Sequence, residues 1–174
     1  MTAFMQLLVL LALLAPFQQR SPDRYFDSGA TFSISLNRTA GDQVNIDFRV
    51  KNNTQKPLLT FDPACLFRYS YPTVTDASGR ELQGTRPGFN PCEHAIICIA
   101  PRGSYRGSYP VPLEAMYNLQ PGALYSVAVT FIHEPSAREQ KTLGEIVHAG
   151  RLAPDGRFLV GTFRSNALKV RVAD

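Results

Sequence analysis

The stretch from Gln43 to Lys51, QVNIDFRVK, shows the clearest strand pattern in the chain. Its four apolar residues alternate with polar or charged residues, and this period of two places one face toward a core and the other toward solvent. Helical spacing would scatter the same apolar side chains around the helix axis. We therefore predict a half-buried β-strand over these residues.

The residues that precede this strand repeat its pattern. Ala30 to Asn37 reads ATFSISLN, in which Phe32, Ile34 and Leu36 alternate with polar residues. Gly41 and Asp42 make a turn between the two runs. Because the runs lie a short turn apart, we predict that they pair as a β-hairpin.

Short runs with the same character continue to the C-terminus. Strands are predicted within 58–61, 67–75, 95–100, 104–111, 125–133, 156–163 and 167–172, and a single helical turn at 113–117. Pro72 cannot donate to a sheet ladder, so its strand should lie at an edge or carry a bulge. Residues 164–166 are interpreted as a bulge that joins the last two strands.

Seven to nine short strands, separated by turns every 8–12 residues, indicate an all-β domain built as an antiparallel sandwich. An eight-stranded barrel is the alternative architecture. The pattern predicts no helix longer than about two turns.

The N-terminus has a different composition. Leu7 to Ala15 reads LLVLLALLA, which is too short for a comfortable membrane span and has the length of a secretory signal core. We predict a signal peptide at 1–19, a linker at 20–29 and one domain at 30–174. The protein would then be secreted or periplasmic and would touch the membrane only through an uncleaved signal. A buried helix of the folded domain is the alternative.

The chain contains three cysteines, and export would place them where disulfides persist. Cys92 and Cys98 are the predicted pair because five residues separate them, although Cys65 could bridge to either one. Cys92, His94 and Cys98 also have the donor types of a metal site. The disulfide is the preferred interpretation, and we predict no metal and no cofactor.

The segment LQPGALY, from Leu119 to Tyr125, resembles the corner before strand F of fibronectin-type and other immunoglobulin-like sandwiches. In that corner a leucine is the anchor, a Pro-Gly pair makes the turn, and the tyrosine hydroxyl bonds back to the backbone. The resemblance implies that Leu119, Pro121, Gly122 and Tyr125 form a structural corner here.

The wider layout is similar to that of bacterial immunoglobulin-like modules. The sequences NNTQKP at 52–57, VTDASGRE at 74–81 and SNALKV at 165–170 resemble the BsuPI-type proteinase-inhibitor domain and the sandwich that precedes deuterolysin-type metalloproteases. The likeness covers roughly 30–172 and implies an immunoglobulin-like β-sandwich. It transfers no inhibitory residue, and the HExxH motif of the metalloproteases is absent from the sequence.

Motifs that carry catalysis are also absent. The sequence has no G-x-S-x-G elbow and no phosphate-binding loop, so we predict no enzyme and no catalytic residues. The net charge is +4, but the basic residues are dispersed, which argues against nucleic acid as a partner.

Two features are candidates for recognition. The charged loop from Glu134 to Glu145 is typical of a solvated connection and would alternatively contact a partner. Tyr69, Tyr71, Tyr105 and Tyr109 alternate along two predicted strands. They are interpreted as half-buried strand residues, with an exposed stripe for carbohydrate or protein as the alternative.

Together these observations predict an exported, monomeric, non-enzymatic protein-binding module whose protein partner the sequence does not identify. Protease inhibition is one form of this function that the resemblance implies. An envelope structural or assembly role is the alternative, and metal binding by the Cys92/His94/Cys98 loop is a weaker one.

Overall fold

A computed structural model describes residues 26–38, 42–63, 70–85, 96–136 and 155–173, with the single positions 138, 141, 145 and 153. This part of the chain is mostly β, with mostly antiparallel strand pairs, and is consistent with the predicted all-β sandwich. Its strands form three separate sheets and no closed barrel. The predicted signal at 1–19 lies outside it. None of the helices in these ranges is long and apolar enough to cross a membrane.

The boundaries of the elements follow the predicted ones, except that the single strand predicted over 156–163 is wrong: it is divided at Val160 into two strands that belong to different sheets. The strands are β1 (Phe26–Asp27), β2 (Ala30–Arg38), β3 (Val44–Asn52), β4 (Leu58–Phe61), β5 (Ser70–Thr75), β6 (Ile96–Ile99), β7 (Ser104–Ser108), β8 (Leu124–His133), β9 (Arg157–Leu159), β10 (Gly161–Arg164) and β11 (Leu168–Arg171), and the helix is α1 (Leu113–Met116).

The first sheet has the order β2-β3-β7 and is antiparallel throughout. Its β2–β3 pair confirms the predicted hairpin, with Phe32 opposite Val50 and Ile34 opposite Phe48. The burial pattern of β3 alternates strictly from Val44 to Val50, as the period of two requires.

The second sheet is built around the long strand β8. Strand β5 pairs with one edge of β8, and β10 and β11 pair in turn with the other edge. Residues 165–167 of the connection stand opposite only residues 128 and 129 of β8. One extra residue on one strand is a β-bulge, which confirms the interpretation of β10 and β11 as one interrupted strand.

A smaller third sheet has the order β1-β9-β4-β6 and contains two parallel pairs. The sequence did not predict it. Strand β1 lies in the segment assigned to a linker, and Asp27 forms an ion pair with Arg157 at 3.6 Å. Residues 26–27 of the segment predicted as a linker therefore pair with β9 in this sheet.

Aromatic side chains connect the first two sheets across the core. Phe48 contacts Phe32 with ring centroids 6.2 Å apart, and Phe32 contacts Phe131 at 5.7 Å. All three rings are buried. Because such contacts add to the gain from burying area, this row of rings holds β3, β2 and β8 in a fixed relation.

The fully buried side chain of Asn52 holds the bend at which β3 leaves the first sheet for the third. Its Nδ2 donates to the carbonyls of Lys56, Ile99 and Ala100, and its Oδ1 accepts from the backbone N–H of Thr54 at 2.9 Å. Beside it, the turn from β6 to β7 carries the chain from the third sheet back to the first. One amide thus satisfies the backbone groups that the turn removes from the ladder.

A second asparagine joins the two large sheets. Asn166 lies in the bulge, and its Oδ1 accepts from the Ile34 N–H at 2.9 Å while its Nδ2 donates to the Ile34 carbonyl at 3.2 Å. The side-chain amide therefore bonds to the edge of β2 as a neighbouring strand would.

Candidate functional site

The outward side of the β2-β3-β7 sheet is wholly polar, and we call it the cationic face. It follows from the alternation of each strand, since the inward positions carry the core. The face consists of Thr31, Ser33, Ser35, Asn37, Asn45, Asp47, Arg49, Lys51, Ser104, Arg106 and Ser108. It therefore carries three cations and one carboxylate.

Strand register arranges these side chains in rows across the sheet. One row joins Ser33, Arg49 and Arg106, and the next joins Ser35, Asp47 and Ser108. The Ser108 hydroxyl donates to Oδ1 of Asp47, so the single carboxylate of the face is already engaged. Lys51 lies in the adjoining row.

Arg49 and Arg106 stand directly opposite each other on β3 and β7. The Tyr109 N–H donates to the Ile46 carbonyl at 2.9 Å, and the Asn52 N–H donates to the Gly103 carbonyl at 3.0 Å. Counting from these bonds in steps of two makes Arg49–Arg106 a non-hydrogen-bonded pair, in which Cα atoms are about 4.5 Å apart. Like charges in this position destabilise a sheet.

Among the described residues, no acidic side chain forms an ion pair with either arginine. Within the described ranges the ion pairs are Arg80–Asp76 and Arg157–Asp27, so neither arginine of the row takes part in one. Both guanidinium groups are exposed. The pair thus presents two forked donors on the same solvent-facing side of the sheet, and guanidinium groups bind carboxylates well.

An open groove of about 610 Å³ lies on this face. Its lining comes from all three strands and includes Ser33, Asn37, Asp47, Arg49 and Arg106. Beneath it, the Phe48 ring lies against Gly107, where an added Cβ would come within 2.6 Å of Phe48 Cζ. The absence of a side chain at residue 107 is what lets the ring pack under the cationic row.

The residues of the predicted corner come together before β8. Tyr125 is buried, and its hydroxyl accepts from the Gln120 N–H at 3.0 Å. Gly122 has a φ of 70°, and its N–H donates to the Val172 carbonyl at 3.1 Å. Pro121 precedes it in the turn, and Leu119 packs on the core. The contact between the tyrosine and its own upstream backbone is structural and lies away from the cationic face.

The cysteine prediction falls largely outside the described residues. Cys98 lies exposed on β6, whereas Cys65, Cys92 and His94 are not among the described positions. The Cys92–Cys98 bridge therefore stays a prediction. In the described ranges, no group of three or more His, Cys, Asp or Glu side chains is placed to hold a metal ion.

The alternating tyrosines do not form one exposed stripe. Tyr109 is buried at 3% exposure, and Tyr105 is half-buried, with its hydroxyl donating to Asp62 at 3.0 Å. Tyr71 is 40% exposed but lies on β5 in the other sheet, and Tyr69 is outside the described residues. The alternative of a tyrosine binding stripe is therefore wrong for Tyr105 and Tyr109.

The charged segment from Glu134 to Glu145 is described only in part. The carboxylate of Glu134 accepts from the Thr162 hydroxyl at 3.0 Å, and Arg138, Lys141 and Glu145 are exposed. No partner-binding geometry follows from these positions.

His133, at the end of β8, is the buried histidine of the described core. Its Nδ1–H donates to the Leu159 carbonyl, and its ring packs between Phe131 and Phe158. Because the ring is 1% exposed, it belongs to the core and not to a surface site.

Sequence reasoning missed the central feature of the site. The alternation of β3 correctly placed Arg49 on the outer side, but it could not give the partner of Arg49 in β7. The available signal was a cation on the polar side of each candidate strand. Comparing these cations over all possible strand pairings would have found the Arg49–Arg106 pair. No protein-family model matches this chain, and no curated protein is significantly similar to it.

Proposed function

We propose that this chain is an exported, non-enzymatic protein-binding module with an immunoglobulin-like sandwich, and that its cationic face binds an acidic protein partner. The observation that carries the proposal is the Arg49–Arg106 pair, which sets like charges side by side without a described counterion. An arrangement that costs stability and supplies donors to the solvent is typical of a functional surface.

The strand order supports the immunoglobulin-like part of this proposal. The order β2-β3-β7 corresponds to strands A, B and E of that fold, and β5-β8 with β10 and β11 corresponds to strands C, F and G. The bond between the Tyr125 hydroxyl and the Gln120 N–H lies where strand F of that fold begins.

The chemistry of the face supports an acidic partner. Arginine binds carboxylates through two parallel N–H bonds, and hydroxyls flank both guanidinium groups in the neighbouring rows. Long-range attraction from an excess of cations would also raise the rate of encounter with an acidic surface.

A pair of matched double variants tests the proposal. Arg49→Ser with Arg106→Ser removes two charges from the face, while Arg164→Ser with Lys169→Ser removes two exposed charges from β10 and β11. We expect the first variant to bind polyglutamate at least about tenfold more weakly and the second to bind it as the parent does, because charge-assisted bonds contribute about 1.5–3 kcal/mol each.

The same variants serve as baits in a pull-down from envelope and culture fractions, beside the parent protein. A partner that the parent and the control capture but the face variant does not would support the proposal. Equal binding of polyglutamate by both double variants, or no binding by the parent at low salt, would contradict it.

Export and protease inhibition are tested separately. The proposed export rests on residues 1–19, so N-terminal sequencing of the protein recovered outside the cytosol should begin after that segment. Protease inhibition would be one form of protein binding, and a panel of secreted proteases assayed with micromolar protein tests that form directly.

A further inference from the structure

The outer edge of β7 is the point at which the cationic face can be extended. Because Gly103 and Tyr109 bond to β3 at either end of the strand, the backbone groups of Tyr105 and Gly107 also point toward β3. The N–H and C=O groups of Ser104, Arg106 and Ser108 therefore point away from the sheet.

These outward backbone groups are free within the part of the chain that the structure describes. β7 pairs with β3 alone, and no backbone hydrogen bond from Ser104, Arg106 or Ser108 to another segment is present there. A row of unpaired backbone groups is a template for the addition of a strand.

We infer that the edge of β7 takes an extended acidic segment of the partner protein as a fourth, antiparallel strand of the β2-β3-β7 sheet. This inference rests on the proposed function of the cationic face and gives it a geometry. Main-chain hydrogen bonds would supply affinity, and the side chains beside the edge would supply specificity.

Charge determines which segment fits. The outward side chain of Arg106 stands between Ser104 and Ser108 on the edge strand, with Arg49 directly behind it. In an antiparallel pair, opposite residues place their Cβ atoms about 4.5–5.5 Å apart on the same face. Glutamate or aspartate opposite Arg106 would therefore reach its guanidinium group and offset the repulsion from Arg49.

The inward positions of the added strand call for apolar residues. On that side β7 presents Gly107 and the half-buried ring of Tyr105, which packs against Phe48 at 6.0 Å between centroids. The segment should thus alternate acidic and β-branched residues, since β-branched side chains pack well on a pleated surface.

The same charges argue against a second copy of this chain as the occupant. A two-fold β7–β7 pairing would bring Arg106 of one protomer beside the same cations of the other, and like charges across a pair are destabilising. A charged edge also discourages aggregation.

Backbone methylation of a probe peptide tests strand addition on the unmodified protein. The probe is an eight-residue peptide of alternating Glu and Val, made in one form with N-methyl groups on the Glu nitrogens and in another with them on the Val nitrogens. In the antiparallel arrangement the Glu N–H groups face β7, so the first form should bind about tenfold more weakly or worse and the second nearly as well as the parent peptide.

A matched pair of protein variants provides the second test. Ser108→Pro removes an outward N–H that no β3 bond uses, and Ser108→Ala removes only the hydroxyl that bonds to Asp47. With folding verified by circular dichroism and thermal unfolding, we expect Ser108→Pro to weaken binding of the Glu-Val peptide several-fold more than Ser108→Ala.

The outcomes separate this inference from the proposed function. If the two methylated peptides bind with equal affinity, whether both strongly or both weakly, strand addition is overturned. The acidic-partner proposal would still stand in that case if the Arg49/Arg106 double variant binds the unmethylated peptide more weakly than the parent protein does. No binding of any acidic probe would overturn both, leaving the arginines as a guard against aggregation. A concentration-dependent dimer that protects the Arg106 amide without peptide would assign the edge to a second copy and also overturn the inference.

Discussion

Strands β5 and β7 both lie at the edge of a sheet, but their outer backbone groups differ in what covers them. On β5, Pro72 contributes no N–H, and its carbonyl accepts from the Tyr117 hydroxyl. The next outward carbonyl, that of Val74, accepts from the Leu82 N–H at 2.8 Å. On β7, no described residue engages the three outward backbone positions.

The edge of β2 resembles that of β5 in this respect, because the Asn166 amide occupies both backbone groups of Ile34. Natural sheets protect their edges against unwanted pairing by such devices. The edge of β7 carries a cation, but no described side chain or backbone group covers it. We assign this uncovered edge to recognition of an acidic strand.

The largest effect should come from the bend that leads into β7. Asn52→Ala removes five side-chain hydrogen bonds from a fully buried residue, and each unmade buried bond costs about 1–3 kcal/mol. We expect the free energy of unfolding in urea to fall by about 3 kcal/mol or more. Asn53→Ala, which loses one exposed bond to Thr31, should change it by less than about 1 kcal/mol. Equal costs for the two variants would contradict this role of Asn52.

The next effect should come from uncovering the edge of β2, where the Asn166 amide bonds to Ile34. Asn166→Ala removes both bonds to Ile34 and should lower the free energy of unfolding by about 1–2 kcal/mol. It should also speed amide exchange at Ile34. The control Asn37→Ala changes an exposed residue on β2, the strand that contains Ile34. It should change neither the free energy of unfolding nor the exchange rate at Ile34. An unchanged Ile34 exchange rate in Asn166→Ala would show that another group covers this edge.

Alkaline pH should open the edge of β5. Burial, and secondly the charge of Glu81, raises the pKa of Tyr117 above its usual value. Since the folded protein holds this proton more tightly than the unfolded chain, the contribution is complete below about pH 10 and is lost as the pH rises through the folded value. An ionised Tyr117 cannot donate to Pro72.

The variant Tyr117→Phe supplies the comparison for that pH dependence. It should cost about 0.5–1.5 kcal/mol at neutral pH. Its free energy of unfolding should then fall less steeply than that of the parent above about pH 10. Burial also raises the pKa of Tyr109. The free energy of unfolding of Tyr109→Phe should therefore also fall less steeply than that of the parent above about pH 10. Parallel curves for parent and Tyr117→Phe would contradict the assignment.

The smallest effect should be a gain. Arg106→Ser relieves the repulsion with Arg49 and should raise the free energy of unfolding by about 0.2–1 kcal/mol at low salt. The difference should shrink in 0.5 M salt, where the screening length is about 4 Å. Arg164→Ser is the control, and a loss of stability in Arg106→Ser would show that the arginine is structural.

Local patterns predicted the strands well, because alternation is a property of each segment. The hairpin of β2 and β3, the bulge between β10 and β11 and the edge position of Pro72 all follow from nearest neighbours in sequence. The segment from Leu119 to Tyr125 likewise carries its own turn chemistry.

The pairing of strands that lie far apart in the chain could not be predicted from local sequence patterns. The position of Arg49 opposite Arg106 depends on β3 choosing β7, a strand more than fifty residues away. The parallel pairs of β1, β9 and β4 depend on the same kind of choice. The roles of Asn52 and Asn166 arise only when the bends they satisfy have formed, so neither residue stands out in the sequence.

Residue-resolved amide hydrogen exchange on the free protein tests the central claim most directly. We predict fast exchange at Ser104, Arg106 and Ser108, slow exchange at Tyr105 and Gly107, and slow exchange at Ile34, whose edge Asn166 covers. Added Glu-Val peptide should then slow exchange at Arg106. Protection of Arg106 equal to that of Gly107 in the free protein would show that the β7 edge is already covered and would contradict the account.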